Sequence, residues 1–147
     1  MVIEVFLCAG DSCHVDSLFL GQALGTIDPE RIRVVWQDTS TPEGVKRFAE
    51  MRLGCEQGLA VDGKTKFVVP VTDPESTRKE KTIYLTHDGG WRMADLGLVL
   101  DHQLKEAYDG RGLPMTPEEL EQQMPSLIKR FSEQALEEAK AKAAEEG

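Results

Sequence analysis

Hydrophobic positions follow two patterns along this chain, and each pattern predicts a different kind of element. Runs rich in β-branched residues predict strands, and apolar residues three and four positions apart predict helices. Strands are predicted over residues 2–7, 32–36, 66–71 and 81–86, with 59–61 interpreted as the beginning of the third. Helices are predicted over residues 16–25, 42–54 and 96–110. The first strand is almost continuously apolar, which is typical of a strand in the middle of a sheet.

The second predicted helix carries the clearest start signal. Thr41 is a good N-cap residue, and Pro42 suits the first helical position. Gly54 fits the position after its end. Its buried stripe is expected to comprise Val45, Phe48, Ala49 and Leu53.

The predicted element order is β-α-β-α-β-β-α, which is the order of the thioredoxin fold. We therefore expect a three-layer α/β domain over residues 1–110, with helices on both faces of a short mixed sheet. A helical C-terminal extension is expected over residues 111–147, joined through a flexible Gly-Arg-Gly segment.

The extension has a capping box and an internal proline. Thr116 and Glu119 have the spacing of a box that satisfies two amide groups. Pro125 is unfavourable inside a helix by ~3 kcal/mol, so we predict a break there and a second helix beginning at Pro125. Its stripe is Leu127, Ile128, Phe131, Ala135 and Leu136. The stripe suits either docking on the same chain or contact with another chain, including a homodimer through these helices.

Composition limits the classes of function. A chain of 147 residues suits one domain with a buried core. Its net charge of −9 argues against binding nucleic acid or an anionic membrane surface, because both require a basic surface. No segment approaches the ~18 apolar residues of a membrane span, and no secretory signal is visible. With three cysteines, an odd number, we expect a reducing, cytoplasmic location.

The cysteines lie at the ends of predicted elements. Cys8 follows the first strand, and Cys13 precedes the first helix after a short polar segment that contains Gly10. Cys55 follows Gly54 at the predicted end of the second helix. Thiols at element ends indicate redox or metal chemistry. Cys8 and Cys13 are therefore the candidate catalytic residues, and all three cysteines are candidate ligands.

The run Cys8-Ala9-Gly10-Asp11-Ser12-Cys13-His14-Val15 resembles the first cluster-binding loop of the thioredoxin-like [2Fe-2S] ferredoxins. This family includes the small iron–sulfur subunit of respiratory NADH dehydrogenase. The resemblance continues weakly through Met51-Arg52-Leu53-Gly54-Cys55 and Gly58-Leu59-Ala60. It implies a [2Fe-2S] cluster on Cys8, Cys13 and Cys55, with Met51 at the position of the fourth cysteine. It also implies electron transfer with a protein redox partner.

Two other functions fit the same residues. One is a thiol–disulfide oxidoreductase or thiol metal trap, with Cys13 as the nucleophile and Cys8 as its resolving partner. The other is a non-catalytic adaptor that binds a partner through its C-terminal helices.

Overall fold

The computed structural model describes residues 1–7, 15–51, 59–72, 75, 77–86 and 90–146. The strands in this part of the chain are β1 Val2–Leu7, β2 Arg33–Asp38, β3 Leu59–Val61, β4 Lys66–Thr72 and β5 Arg78–Tyr84. The helices are α1 Val15–Leu24, α2 Pro42–Met51, α3 Met93–Ala107 and α4 Pro117–Glu146. The predicted α/β class is therefore confirmed at the level of a mixed α/β protein.

The first strand lies in the middle of a three-stranded sheet, as its apolar run predicts. The strand order is β2-β1-β3, with β2 parallel and β3 antiparallel to β1. Val5 lies opposite both Trp36 and Leu59. The carboxyl end of β1 and the amino end of β3 consequently meet at one edge of the sheet.

Alternate side chains of β1 enter two separate apolar clusters. Ile3 and Val5 are fully buried in the main core, which includes residues of α1, α3 and α4. Phe6 belongs to a smaller cluster on the opposite face, where it packs with residues of α2. Helices therefore cover both faces of this sheet.

The third strand ends earlier than the sequence pattern predicts. Residues 59–61 form a separate strand because the chain reverses at Asp62 and Gly63, whose φ angles are +48° and +76°. Two consecutive positive φ angles are typical of a type I′ turn, which joins strands tightly. The next two strands, β4 and β5, pair antiparallel in a two-stranded sheet of their own.

The buried stripe predicted for α2 is wrong at two positions, and a third predicted position, Leu53, lies outside the described residues. Val45 is 53% exposed and Ala49 is also exposed, whereas Gly44 is buried. The face toward the sheet contains Gly44, Arg47, Phe48 and Met51. The helix is rotated toward these residues because Arg47 pairs with Glu4 of β1 and Gly44 lets the backbone approach β2 closely.

The predicted break at Pro125 is also wrong, since α4 is continuous through this residue. Leu120 and Met124 are buried before the proline, and Leu127, Ile128 and Phe131 pack against the core after it. These positions keep one helical stripe across Pro125. Packing on both sides of the proline offsets the loss of one backbone hydrogen bond. The predicted Thr116–Glu119 capping box is confirmed, with both hydrogen bonds formed.

Arg31 holds the Gly-Arg-Gly segment that the sequence suggests is flexible. Its guanidinium donates to the carbonyl oxygens of Arg111 (2.8 Å) and Gly112 (2.7 Å). It also pairs with Asp28 and Asp109. The first half of α4, which follows this segment, packs on the core of the same chain through Leu120 and Met124. The domain boundary after residue 110 and the homodimer contact both stay predictions.

Among the described residues, no helix has both the length and the apolar character that crossing a membrane requires.

Candidate functional site

The three cysteines on which the predicted site depends, Cys8, Cys13 and Cys55, lie outside the described residues. The structure describes the residues on either side of them. Leu7 ends β1 and Val15 begins α1, on either side of the segment that contains Cys8 and Cys13. Likewise, α2 ends at residue 51 and β3 begins at residue 59, on either side of the segment that contains Cys55.

The ends of β1, β3 and α2 meet in one apolar cluster. Phe6 and Ala60 are fully buried, and Phe48 and Met51 of α2 pack against them. The Phe6 and Phe48 rings meet edge to face, with their centroids 5.9 Å apart. These contacts fix the points where both cysteine-bearing segments leave the fold and the point where the second segment rejoins it.

Met51 occupies the position of one ligand of the [2Fe-2S] cluster that the sequence resemblance implies. A [2Fe-2S] cluster is normally held by four thiolates, but the chain has three cysteines. Met51, at the position of the fourth cysteine, has a neutral thioether side chain that packs against the buried apolar residues Phe6 and Ala60. This donor set does not fit a four-thiolate [2Fe-2S] cluster.

A charged group lies on the same face of the sheet as Phe6. The Glu4 carboxylate is nearly buried and accepts hydrogen bonds from Arg47 Nη2 (2.6 Å) and Arg47 Nε (2.8 Å). Gln37 Nε2 donates a third at 3.0 Å. The hydrogen bonds from Arg47 outweigh burial and hold the pKa of Glu4 below its ordinary value of 4.5. The pair joins α2 to the centre of the sheet.

A second carboxylate organises the turn between β3 and β4. Asp62 accepts hydrogen bonds from the Val2 backbone N–H (2.8 Å), Gln103 Nε2 (2.9 Å) and the Tyr108 hydroxyl (2.9 Å). Burial alone would raise the pKa of Asp62, but these hydrogen bonds lower it below its ordinary value. Burial and the bond to Asp62 raise the pKa of Tyr108 to about 12. Asp62 thus fixes the hairpin against β1 and α3.

Beside the end of α2 lies a cavity of about 550 Å³. Its described walls come from α2, the β3–β4 turn, β4 and the end of β5. The described lining residues are Glu50, Met51, Gly63, Lys64, Thr65, Lys66, Tyr84 and Thr86. These residues combine two ammonium groups, one carboxylate, three hydroxyl groups and an apolar wall that includes the Met51 thioether.

Sequence reasoning missed both the Glu4–Arg47 pair and this cavity. One signal for the pair was available: Glu4 is a charged residue inside a run that is otherwise apolar. Such a residue needs a partner when it is buried. The cavity had no comparable signal, because Lys64 is placed by the β3–β4 turn and Lys66 meets Tyr84 through the register of β4 and β5.

Among the described residues, which do not include the cysteines, no three His, Cys, Asp or Glu side chains form a group that could hold a metal ion. Comparisons of the chain with protein-family models, with curated proteins and with solved structures find no match.

Proposed function

We propose that this chain is a cytoplasmic thiol redox protein with a thioredoxin-like layout, acting through Cys8 and Cys13 with Cys55 as a third thiol. The observation that carries the proposal is the cluster of Phe6, Met51 and Ala60. It joins the ends of the elements from which both cysteine-bearing segments depart. The parallel pairing of β1 with β2, the antiparallel β3 and the helices on both faces support the layout.

The proposed reaction is thiol–disulfide exchange with a protein partner. The Cys13 thiolate attacks one sulfur of the partner's disulfide and releases the other sulfur as a thiolate, which takes up a proton. The Cys8 thiolate then attacks Cys13 Sγ and releases the partner's second sulfur. The partner gains two electrons and two protons, and Cys8 and Cys13 are oxidised to a disulfide.

Cys13 is the proposed nucleophile because of its spacing from α1. It precedes the first helical residue, Val15, by two positions, and His14 lies between them. Amide groups at a helix N-terminus and a neighbouring imidazolium both favour a thiolate over a thiol. Cys8 follows the last residue of β1 and has no such helix start beside it.

We expect Cys13 to be alkylated faster than Cys8 or Cys55 at neutral pH. Iodoacetamide labelling of the Cys8→Ser, Cys13→Ser and Cys55→Ser variants, followed by mass spectrometry across pH, assigns a rate and a thiol pKa to each cysteine. The Cys13 pKa is expected to lie below the ordinary ~8.5. Cys55→Ser is the matched control and should leave the Cys13 rate unchanged.

Equal, slow alkylation of all three cysteines would contradict the assignment of Cys13 as nucleophile. An anaerobically purified protein with bands between roughly 400 and 600 nm and about two irons per chain would replace thiol exchange with cluster electron transfer. If the Cys8→Ser/Cys13→Ser variant keeps the protein's cellular phenotype while truncation after Ser132, which leaves the core-packed half of α4 in place, abolishes it, the chain is instead an adaptor.

A further inference from the structure

The cavity beside α2 differs in charge from the rest of the molecule. Among its described lining residues, Lys64 and Lys66 are cationic and Glu50 is the one acid. Glu50 is already paired with Arg47 at 3.3 Å. The chain as a whole has a net charge of −9. An excess of positive charge in a concave site on an acidic protein favours an anionic ligand over a cationic one.

Lys64 and Lys66 are both exposed to solvent. In the part of the chain that the structure describes, neither ammonium group has a carboxylate within ion-pair distance. Two further cavities, near residue 30, also have cationic side chains in their walls, but these side chains are paired with carboxylates. There, Arg31 is bound by Asp28 and Asp109, and Arg111 is bound by Asp109.

Lys66 is held in position by its cross-strand neighbour. Lys66 and Tyr84 are directly opposite in the β4–β5 register, and the Lys66 ammonium lies 5.6 Å from the centre of the Tyr84 ring. This cation–π contact places a positive charge beside an exposed aromatic ring.

The volume of the cavity indicates a ligand larger than a bare ion. A cavity of about 550 Å³ lies within the range of small-molecule sites, ~300–1,000 Å³. Hydroxyl groups of Thr65, Thr86 and Tyr84 add hydrogen-bonding capacity, and Met51 adds apolar surface. The lining thus suits an oxyanion attached to a flat organic body.

We propose that this cavity binds a small organic oxyanion, a carboxylate or a phosphate, between Lys64 and Lys66, with the body of the ligand against Tyr84 and Met51. This binding does not depend on the thiol chemistry, because none of these residues is a cysteine.

The test is an NMR titration of the full-length ¹⁵N-labelled protein at constant ionic strength. The probes are phenyl phosphate, terephthalate and the neutral analogue benzyl alcohol. We expect saturable shifts of the Thr65, Tyr84 and Thr86 amides with the two anions. A Lys64→Gln/Lys66→Gln variant should bind them about tenfold more weakly, as expected when two charge-assisted contacts are lost.

The matched control is Lys129→Gln/Lys140→Gln, which removes two exposed cations from α4 and should bind like the wild type. Tighter binding of phenyl phosphate assigns the site to phosphates, and tighter binding of terephthalate assigns it to carboxylates. Both results support the proposal. Three results would overturn it: shifts that do not saturate, equal affinity in the Lys64/Lys66 variant with an unchanged fold, or benzyl alcohol binding as tightly as the anions.

Discussion

A Gly44→Ala variant is expected to lose about 2–3 kcal/mol of unfolding free energy, although alanine favours a helix more than glycine does by ~1 kcal/mol. A Cβ on Gly44 would overlap the carbonyl oxygen of Asp38. Relieving this overlap requires α2 to move away from β2, which weakens the packing between them. The loss should appear as a lower midpoint of urea denaturation with an unchanged slope.

Gly25→Ala is the matched control for this variant. At Gly25 a Cβ would meet no atom closer than 3.5 Å, which is ordinary van der Waals contact. Its unfolding free energy should stay within ~0.5–1 kcal/mol of the wild type. If Gly44→Ala were as stable as Gly25→Ala, the close approach of α2 to β2 would be refuted.

Replacing Arg47 with Met should cost about 2–4 kcal/mol at neutral pH, less than for a fully buried pair because Arg47 is one-third exposed. The substitution leaves the Glu4 carboxylate, 7% exposed, with Gln37 as its remaining partner. Lys46→Met removes an exposed cation from the same helix and serves as the control, with a change near zero.

The pH dependence separates loss of the ion pair from general loss of packing. In the wild type the pKa of Glu4 lies below 4.5, so its ionised form stabilises the fold above that pH. This contribution is lost as the pH falls through the folded-state pKa. In Arg47→Met, burial without the arginine should raise the pKa of Glu4 instead, so protonation should recover stability as the pH falls from neutral toward 4.5. A variant whose stability followed the wild-type pH profile in parallel would contradict the role given to the pair.

Several elements could be predicted from the sequence because residues close together in the chain determine them. The apolar run of β1 correctly predicts a central strand, and Thr116 with Glu119 correctly predicts the start of α4. The phase of α2 could not be predicted from hydrophobicity, because Arg47 and Gly44 face the sheet for reasons of pairing and close approach. The continuity of α4 through Pro125 could not be predicted, because core residues distant in sequence pack against the helix on both sides of the proline.

The candidate site could be predicted from the sequence only in part. Element ends locate the cysteine-bearing segments, and pairing of β1 with β3 brings Leu7 and Leu59 to one edge of the sheet. Lys64, Lys66 and Tyr84 share a cavity because of the turn at Asp62 and the β4–β5 register. Asp62-Gly63 is a sequence signal for the turn, but the register of β4 with β5 cannot be predicted from any one of these side chains.

Redox titration tests the central claim, a dithiol pair formed by Cys8 and Cys13, most directly. Full-length protein is equilibrated in glutathione buffers of stepped potential and acid-quenched, and its free thiols are counted by alkylation and mass spectrometry. The account predicts one two-electron transition that removes the Cys8 and Cys13 thiols together, leaves Cys55 free and persists in Cys55→Ser. Independent glutathionylation of the cysteines, without a disulfide between Cys8 and Cys13 at any potential, would contradict it.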